Sequence, residues 1–311
     1  MPLWIIGLGL GDEKDVSVKG AEAIAGADEV WLESYTSILG VGAEALEARY
    51  GKRVRIAYRE TVESEAESIL APAKTSKVAF LVVGDPFGAT THTDLMIRAQ
   101  DEGVEVTVIH NASIMNAAGA CGLQLYNFGA TISIPYFTET WRPGSFYDKL
   151  AYNARGGMHT LALLDIKVRE PNLEALMRGR TKYDPPRFMT IPEAIGQLLE
   201  VEAGRGGGFC GPDSLGIGMA RVGQATQRIV SGTLAELAGV DFGGPLHSLV
   251  ICGDMHELER TLFDRFRVKP AAGAAAAAGG AGGGAAEAAA APAPTAPAPA
   301  TEAAASAPAP A

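Results

Sequence analysis

Val78-Ala79-Phe80-Leu81-Val82-Val83-Gly84-Asp85-Pro86-Phe87-Gly88-Ala89-Thr90-Thr91-His92 is the stretch that decides the fold. An apolar, β-branched run ends abruptly at Gly84-Asp85-Pro86, and small residues then lead into an amphipathic stretch. Such a run, bounded by turn residues, reads as a strand buried on both faces, the habit of parallel sheets. In open α/β sheets ligands sit at the carboxyl ends of the strands, so the loop opening at Gly84 is a candidate binding loop. It puts a carboxylate at the strand tip in place of a bare glycine cradle. That disfavours a phosphate and favours a ligand with amine, hydroxyl or cationic character. Asp85 also has a plainer reading, because Asp-Pro opens turns; Thr90, Thr91 and His92 would then cap the next helix.

Outward from this strand, the pattern alternates. Strands are expected over 3–8, 29–34, 53–57, 78–83 and 105–109. Helices are expected from the Ser17 cap to 25 and over 43–49, 64–74 and 93–102. This rhythm implies a mostly parallel sheet covered on both faces. His110-Asn111-Ala112-Ser113 reads as the connection into a second domain. There, helices are expected over 114–121, 191–202 (with Pro192 at its start), 234–238 and 256–266. Strands are expected over 130–134, 160–165, 214–221, 227–231 and 247–252, some so closely spaced that the sheet reads as mixed. The fold class is therefore α/β, with an N-terminal domain over 1–111 and a C-terminal domain over 112–270. After Pro270 the chain turns to Ala, Gly and Pro, which cannot build a packed core, and 271–311 is expected to be disordered.

At 311 residues and 47% hydrophobic, the chain can bury substantial cores. Its net charge of -10 and the lack of a long basic run argue against a nucleic-acid binder. Cys121, Cys210 and Cys252 are too scattered for a disulfide framework or a zinc ribbon, and fit a reducing cytoplasm. The N-terminus lacks the basic region of a signal peptide, and the Ala/Gly tract is too weakly hydrophobic for a convincing membrane span.

Gly7-Leu8-Gly9-Leu10-Gly11-Asp12 approaches a dinucleotide fingerprint but has Asp12 where the third glycine should stand. It reads either as a tight strand-to-helix turn or as backbone brought close to a ligand. His92, His110, His159 and His256 have no ligand spacing, so no metal site is expected, and His247 at a strand start is by itself more often structural. No GxSxG elbow is present. The basic loop over 178–187 reads as a solvated loop, as a docking surface for an acidic macromolecule, or as a segment that orders at an oligomer interface.

Six segments in order resemble the diphthine synthases of the tetrapyrrole-methylase superfamily. They are Leu3-Trp4-Ile5-Ile6-Gly7-Leu8-Gly9-Leu10-Gly11-Asp12, Glu33-Ser34-Tyr35-Thr36-Ser37 and the Gly84 to His92 loop. The others are Val108-Ile109-His110-Asn111-Ala112-Ser113-Ile114, His159-Thr160-Leu161-Ala162-Leu163-Leu164-Asp165-Ile166-Lys167 and Pro245-Leu246-His247. The resemblance implies two α/β domains with S-adenosylmethionine in the cleft between them, and a homodimer. It carries cofactor binding onto Leu10, Asp85, Gly88, Ser113, Ile114, Leu164, Val222 and His247. It implies as substrate a modified histidine of translation elongation factor 2 that bears an aminocarboxypropyl arm, whose amine is methylated in succession. It assigns no catalytic residue.

Methyl transfer from a sulfonium is an in-line displacement that needs no metal, so the enzyme's main contribution would be alignment. Asp85 would either receive hydrogen bonds from ligand polar groups or face the sulfonium end. The rival readings are a tetrapyrrole C-methyltransferase, whose polycarboxylate could use the basic loop, a non-catalytic nucleotide-binding module, and an interaction scaffold using the Pro/Ala tail.

Overall fold

The run that opens the sequence argument lies at the centre of a five-stranded sheet. β1 (Pro2–Gly7), β2 (Glu29–Glu33), β3 (Val54–Ala57), β4 (Val78–Val82) and β5 (Glu105–Ile109) are arranged in the order β3-β2-β4-β1-β5. Every pairing is parallel. The computed structural model describes residues 2–172, 175, 177–180 and 182–269, so the tail expected to be disordered lies outside the described residues. Along β4, Val78, Phe80 and Val82 enter one core while Ala79 and Leu81 enter the other. Both faces are buried, which is why the run shows no polar alternation.

The helices are α1 (Val18–Gly26), α2 (Ala43–Tyr50), α3 (Arg59–Glu63), α4 (Glu67–Ala73) and α5 (Thr93–Asp101). Ser17 caps α1 by accepting from the Gly20 amide at 3.1 Å, as the sequence suggests. The helix expected over 64–74 is present as α4, and a separate α3, outside the expected range, precedes it across a break at 64–66. Val62, Ala66, Ile69, Leu70 and Ala73 all enter one core, so the apolar stripe keeps helical spacing through the break and hides it.

The strand order creates the binding geometry. From β1 the chain leaves through α1 to β2 on one side of the sheet. From β4 it leaves through α5 to β5 on the other side. Two adjacent strands therefore send their chains in opposite directions, and a crevice opens beyond their carboxyl ends.

The second sheet follows α6 (Ile114–Ala117), which runs on into a 3-10 turn at Ala118–Cys121. Its strands are β6 (Ile132–Ile134), β7 (Thr160–Leu164), β10 (Leu215–Ala220), β11 (Arg228–Thr233) and β12 (His247–Ile251); β8 (Ile166–Lys167) and β9 (Arg187–Phe188) form a separate ribbon. The order is β11-β10-β12-β7-β6, antiparallel except for the β6–β7 pair, so the sheet is mixed as expected. Its helices are α7 (Phe146–Arg155), α8 (Ile191–Arg205), α9 (Leu234–Ala238) and α10 (Glu257–Arg265). The sequence reading had not picked out α7, which buries Phe146, Tyr147, Leu150 and Ala151. Both sheets belong to one compact unit that extends to Val268.

The end of α8 is held by Glu202. Its carboxylate accepts from the amides of Gly208 (2.6 Å), Phe209 (3.0 Å) and Cys210 (2.9 Å) and from the Tyr147 hydroxyl (2.8 Å). Desolvation alone would raise its pKa, but these donors outweigh it and bring the value down to about 2. Stability from this carboxylate is present above the unfolded value of 4.5 and is lost as pH falls toward 2. Glu202→Gln is therefore expected to cost about 2 kcal/mol at neutral pH, lowering Tm by about 5 °C. The gap between wild type and variant should close as melting is repeated down to acid pH; a gap that persists there would refute the assignment.

Candidate active site

The crevice is fixed by two glycine turns joined to each other. The Gly9 amide donates to the Gly84 carbonyl at 3.1 Å, and the Gly84 amide donates to Gly9 at 2.7 Å. Their φ values of 79° and 84° lie in the left-handed region, which glycine enters without a steric penalty. The loops after β1 and β4 are thus one structural unit. A second close approach lies at Gly88, where an added Cβ would land on the Ser113 side chain. Ala89 (φ 69°) and Arg221 (φ 51°) also take left-handed backbone, strained for residues with a side chain, and both line the cleft.

The cleft has a volume of about 680 Å³ and draws its walls from both sheets. Leu10 from the β1 loop, Gly88 from the β4 loop, and Ser113 and Ile114 at the start of α6 all line it. Leu164 at the end of β7, Val222 in the β10–β11 turn and His247 at the start of β12 complete it from the second sheet. The structure therefore brings these residues, scattered over the sequence, to one place. Ser113 also caps α6, accepting from the Met115 amide at 3.3 Å while its own amide donates to Asn116 Oδ1 at 2.8 Å.

Asp85 stands apart from that lining. One carboxylate oxygen accepts from the Phe87 amide at 2.9 Å; the other accepts from the Asn111 amide at 3.1 Å and meets His110 Nδ1 at 2.8 Å. Partial burial works against its ionisation, but the two amides and His110 outweigh that and hold its pKa below the usual range. The carboxylate ties the loop after β4 to the loop after β5. Its hydrogen bonds go to the protein's own chain.

His247 offers the clearest sign of a ligand. Its Nε2 lies 3.2 Å from the Gly243 carbonyl and 3.0 Å from that of Gly244, both acceptors, so this nitrogen carries the proton. Nδ1 is then a bare acceptor, buried and without a partner among the described residues. Burial holds the ring's pKa below the ordinary value, which keeps it neutral. A buried orphan acceptor on a cleft residue is costly unless a ligand donor meets it. With the Gly88–Ser113 contact and the cleft's apolar walls, this suits a ligand that presents a hydrogen-bond donor on a partly apolar body.

Several lining residues carried no individual role in the sequence reading. Tyr35 and Thr36 sit in the Glu33 to Ser37 segment, which was singled out only as a marker of resemblance. Arg59 opens α3 just after β3, at the same carboxyl edge of the sheet, and could have been found by the rule that drew attention to Asp85. Its guanidinium lies 5.6 Å from the centre of the Tyr35 ring and has no carboxylate partner among the described residues. Asp165 also lines the cleft, with Oδ2 accepting from the Tyr136 amide at 3.0 Å. The other cleft arginine, Arg221, uses its guanidinium on the Thr226, Phe242 and Gly244 carbonyls.

In the basic loop, Arg187 pairs with Glu193 at 2.7 Å and lies over the Tyr136 ring. Arg169, just before the loop, packs between the rings of Tyr58 and Tyr183. Arg187 is thus engaged within the fold, and no described residue of 178–187 lines the cleft.

Residues 2–238 match the family model of the tetrapyrrole (corrin/porphyrin) methylases. A diphthine methyl ester synthase of Dictyostelium discoideum is 58% identical over 271 residues, covering 86% of this chain and 99% of that protein. The diphthine methyl ester synthase of Homo sapiens is 53% identical over 271 residues, covering 86% and 95%. A crystal structure of a provisionally assigned diphthine synthase from Entamoeba histolytica superimposes with a TM-score of 0.78 at 49% identity, covering 86% of this chain and 99% of that one.

Proposed function

The chain belongs to the tetrapyrrole (corrin/porphyrin) methylase family and is a methyltransferase of diphthamide biosynthesis; from that premise we propose that its methyl donor is S-adenosylmethionine and its acceptor the modified histidine of translation elongation factor 2. When bound, the donor supplies an electrophilic methyl group on a sulfonium sulfur. Around it, Gly88 and Ser113 would hold the loop after β4 close, and His247 Nδ1 would accept a hydrogen bond. Leu10, Ile114, Leu164 and Val222 would supply apolar wall. With the donor filling the cleft, these walls would reduce water around the reacting atoms and strengthen the action of nearby polar groups on a moving charge. Holding methyl and amine in line is the larger contribution.

The acceptor reading rests on one observation, the poverty of free cations in the cleft. Arg59 has an unpaired guanidinium there, whereas Arg221 is engaged by backbone carbonyls. A tetrapyrrole bearing several carboxylates would demand more. An aminocarboxypropyl arm carries one carboxylate and one amine, which match Arg59 and Asp165. An amine can accept methyl groups until it is quaternary. The relatives' name specifies a methyl ester, so we take the arm's carboxylate to be methylated as well.

The test is transfer of labelled methyl from S-adenosylmethionine to elongation factor 2 carrying the arm, run beside uroporphyrinogen. Label is expected on the protein and not on the tetrapyrrole; the reverse would overturn the proposal. Asp85→Ala is expected to cost about 2 kcal/mol of stability through its lost charged hydrogen bonds. The freed loop should weaken donor binding about tenfold, a 1.4 kcal/mol effect. Calorimetry showing unchanged donor affinity in a natively folded variant would count against that linkage.

We also take the enzyme to be cytoplasmic, in keeping with its scattered cysteines, and a homodimer, as the resemblance implies; sedimentation of the full chain tests the dimer. Among the described residues no helix is long and apolar enough to cross a membrane.

A further inference from the structure

Behind the cleft wall lies a buried acid that the reading above does not use. Glu33 ends β2 and is 1% exposed. Its Oε1 accepts from the Thr36 hydroxyl at 2.5 Å, and its Oε2 accepts from the Thr36 amide at 3.1 Å and the Tyr35 amide at 3.4 Å. On its other side His92 Nε2 lies 4.0 Å from Oε2. The His92 ring is fully buried, packed edge-on to Phe80 and Tyr35, and neither of its nitrogens has a partner among the described residues. Thr36 itself lines the cleft.

This arrangement links a buried acid to the cleft through one hydroxyl. The ionised carboxylate already has hydroxyl and amide donors. Beside it the neutral His92 ring, 4.0 Å away and outside hydrogen-bond reach, places no charge against either form. Burial pushes the Glu33 pKa up, which raises the carboxylate's affinity for a proton, and pushes the His92 pKa down to about 4, which keeps that ring neutral. Arg59 and Glu63 of α3 face the neighbouring Tyr35 ring and hydroxyl. A buried carboxyl that is costly to ionise yet is bonded to a cleft-lining hydroxyl is poised to take and release a proton.

We propose that Glu33, acting through the Thr36 hydroxyl, is the proton acceptor that frees the substrate amine for methylation. This rests on the methyltransferase reading. The substrate ammonium gives a proton to the Thr36 oxygen as the Thr36 hydroxyl proton passes to Glu33 Oε1. The nitrogen lone pair so freed takes the methyl carbon from the sulfonium, whose bonding pair stays on sulfur as a neutral thioether. The nitrogen is cationic again and must lose another proton before the next methylation. Glu33 returns its proton to solvent by the same hydroxyl. Methylation of a carboxylate oxygen needs no proton removed, because the oxygen is already ionised.

Loss of the acceptor should therefore separate the two chemistries. With Glu33→Gln, N-methylation at neutral pH is expected to slow about 100-fold. O-methylation, assayed on elongation factor 2 already carrying the quaternary amine, should stay within about threefold of wild type, well below the tenfold that 1.4 kcal/mol represents. Raising the pH should recover N-methylation in the variant, because the amine then deprotonates without help. Donor affinity by calorimetry should not change. Thr36→Val, which leaves the acid in place, should show the same selective loss, and Thr36→Ser should restore it; this pair decides if Glu33→Gln does not fold. Equal losses of N- and O-methylation, or undiminished N-methylation in both variants, would overturn the proposal. Wild-type enzyme that transfers no methyl to either atom would overturn the methyltransferase reading itself.

Discussion

Gly88→Ala is expected to remove nearly all methyl transfer while leaving a folded protein. The new Cβ would occupy the position of the Ser113 side chain, and Asp85 Cβ lies 3.3 Å away on its other flank. Ser113 cannot simply rotate aside, because its oxygen caps α6 and its amide is bonded to Asn116. Either the cap opens or the loop over 84–89 tips into the cleft. Overpacking of this kind costs about 1–3 kcal/mol, a small part of the stability of a chain with several buried cores. The effect on catalysis is larger, because a displacement of about 1 Å in a positioning loop costs on the order of 100-fold in rate. Turnover should fall at least that far, with S-adenosylmethionine affinity falling in parallel and Tm moving by only a few degrees. A variant retaining more than about a tenth of wild-type turnover, against that 100-fold expectation, would mean that the loop does not position the donor.

What the sequence made legible follows from what each residue answers to. β1 and β4 could be read because burial on both faces writes itself into a continuous apolar run. Ser17 as a cap could be read because capping is local. The order β3-β2-β4-β1-β5 could not, since pairing depends on contacts distant in sequence; yet that order is what makes the Gly9–Gly84 edge a crevice. Asp85 shows where local reading stops. Its place at a strand tip was legible, but its direction was set by Asn111 and His110 at the end of β5, a strand two places away in the sheet. Glu33 and His92 were hidden more deeply. Each belongs to a segment noted for other reasons, and only the packing of β2 against β4 brings them within 4.0 Å.

Arg59→Met is expected to raise KM for elongation factor 2 about tenfold, a 1.4 kcal/mol effect, with little change in donor affinity. The guanidinium rests on the Tyr35 ring, which orders it without neutralising it. Arg59 is exposed at the cleft and has no carboxylate partner among the described residues, so its guanidinium is free to meet an incoming carboxylate. The arm's carboxylate fits that place, and the fork of the guanidinium can hold one oxygen while leaving the other for methylation. Lysine should rescue poorly, because a point charge does not reproduce the fork. The assignment also bears on how the reaction ends. Conversion of the carboxylate to a methyl ester abolishes the charge that Arg59 holds, so the ester product should bind more weakly than the carboxylate form it came from. Competition assays with the two forms should show that difference in wild type and lose most of it in Arg59→Met. If S-adenosylmethionine affinity collapses instead while KM for the protein holds, Arg59 serves the donor's own carboxylate, and the release argument fails with it.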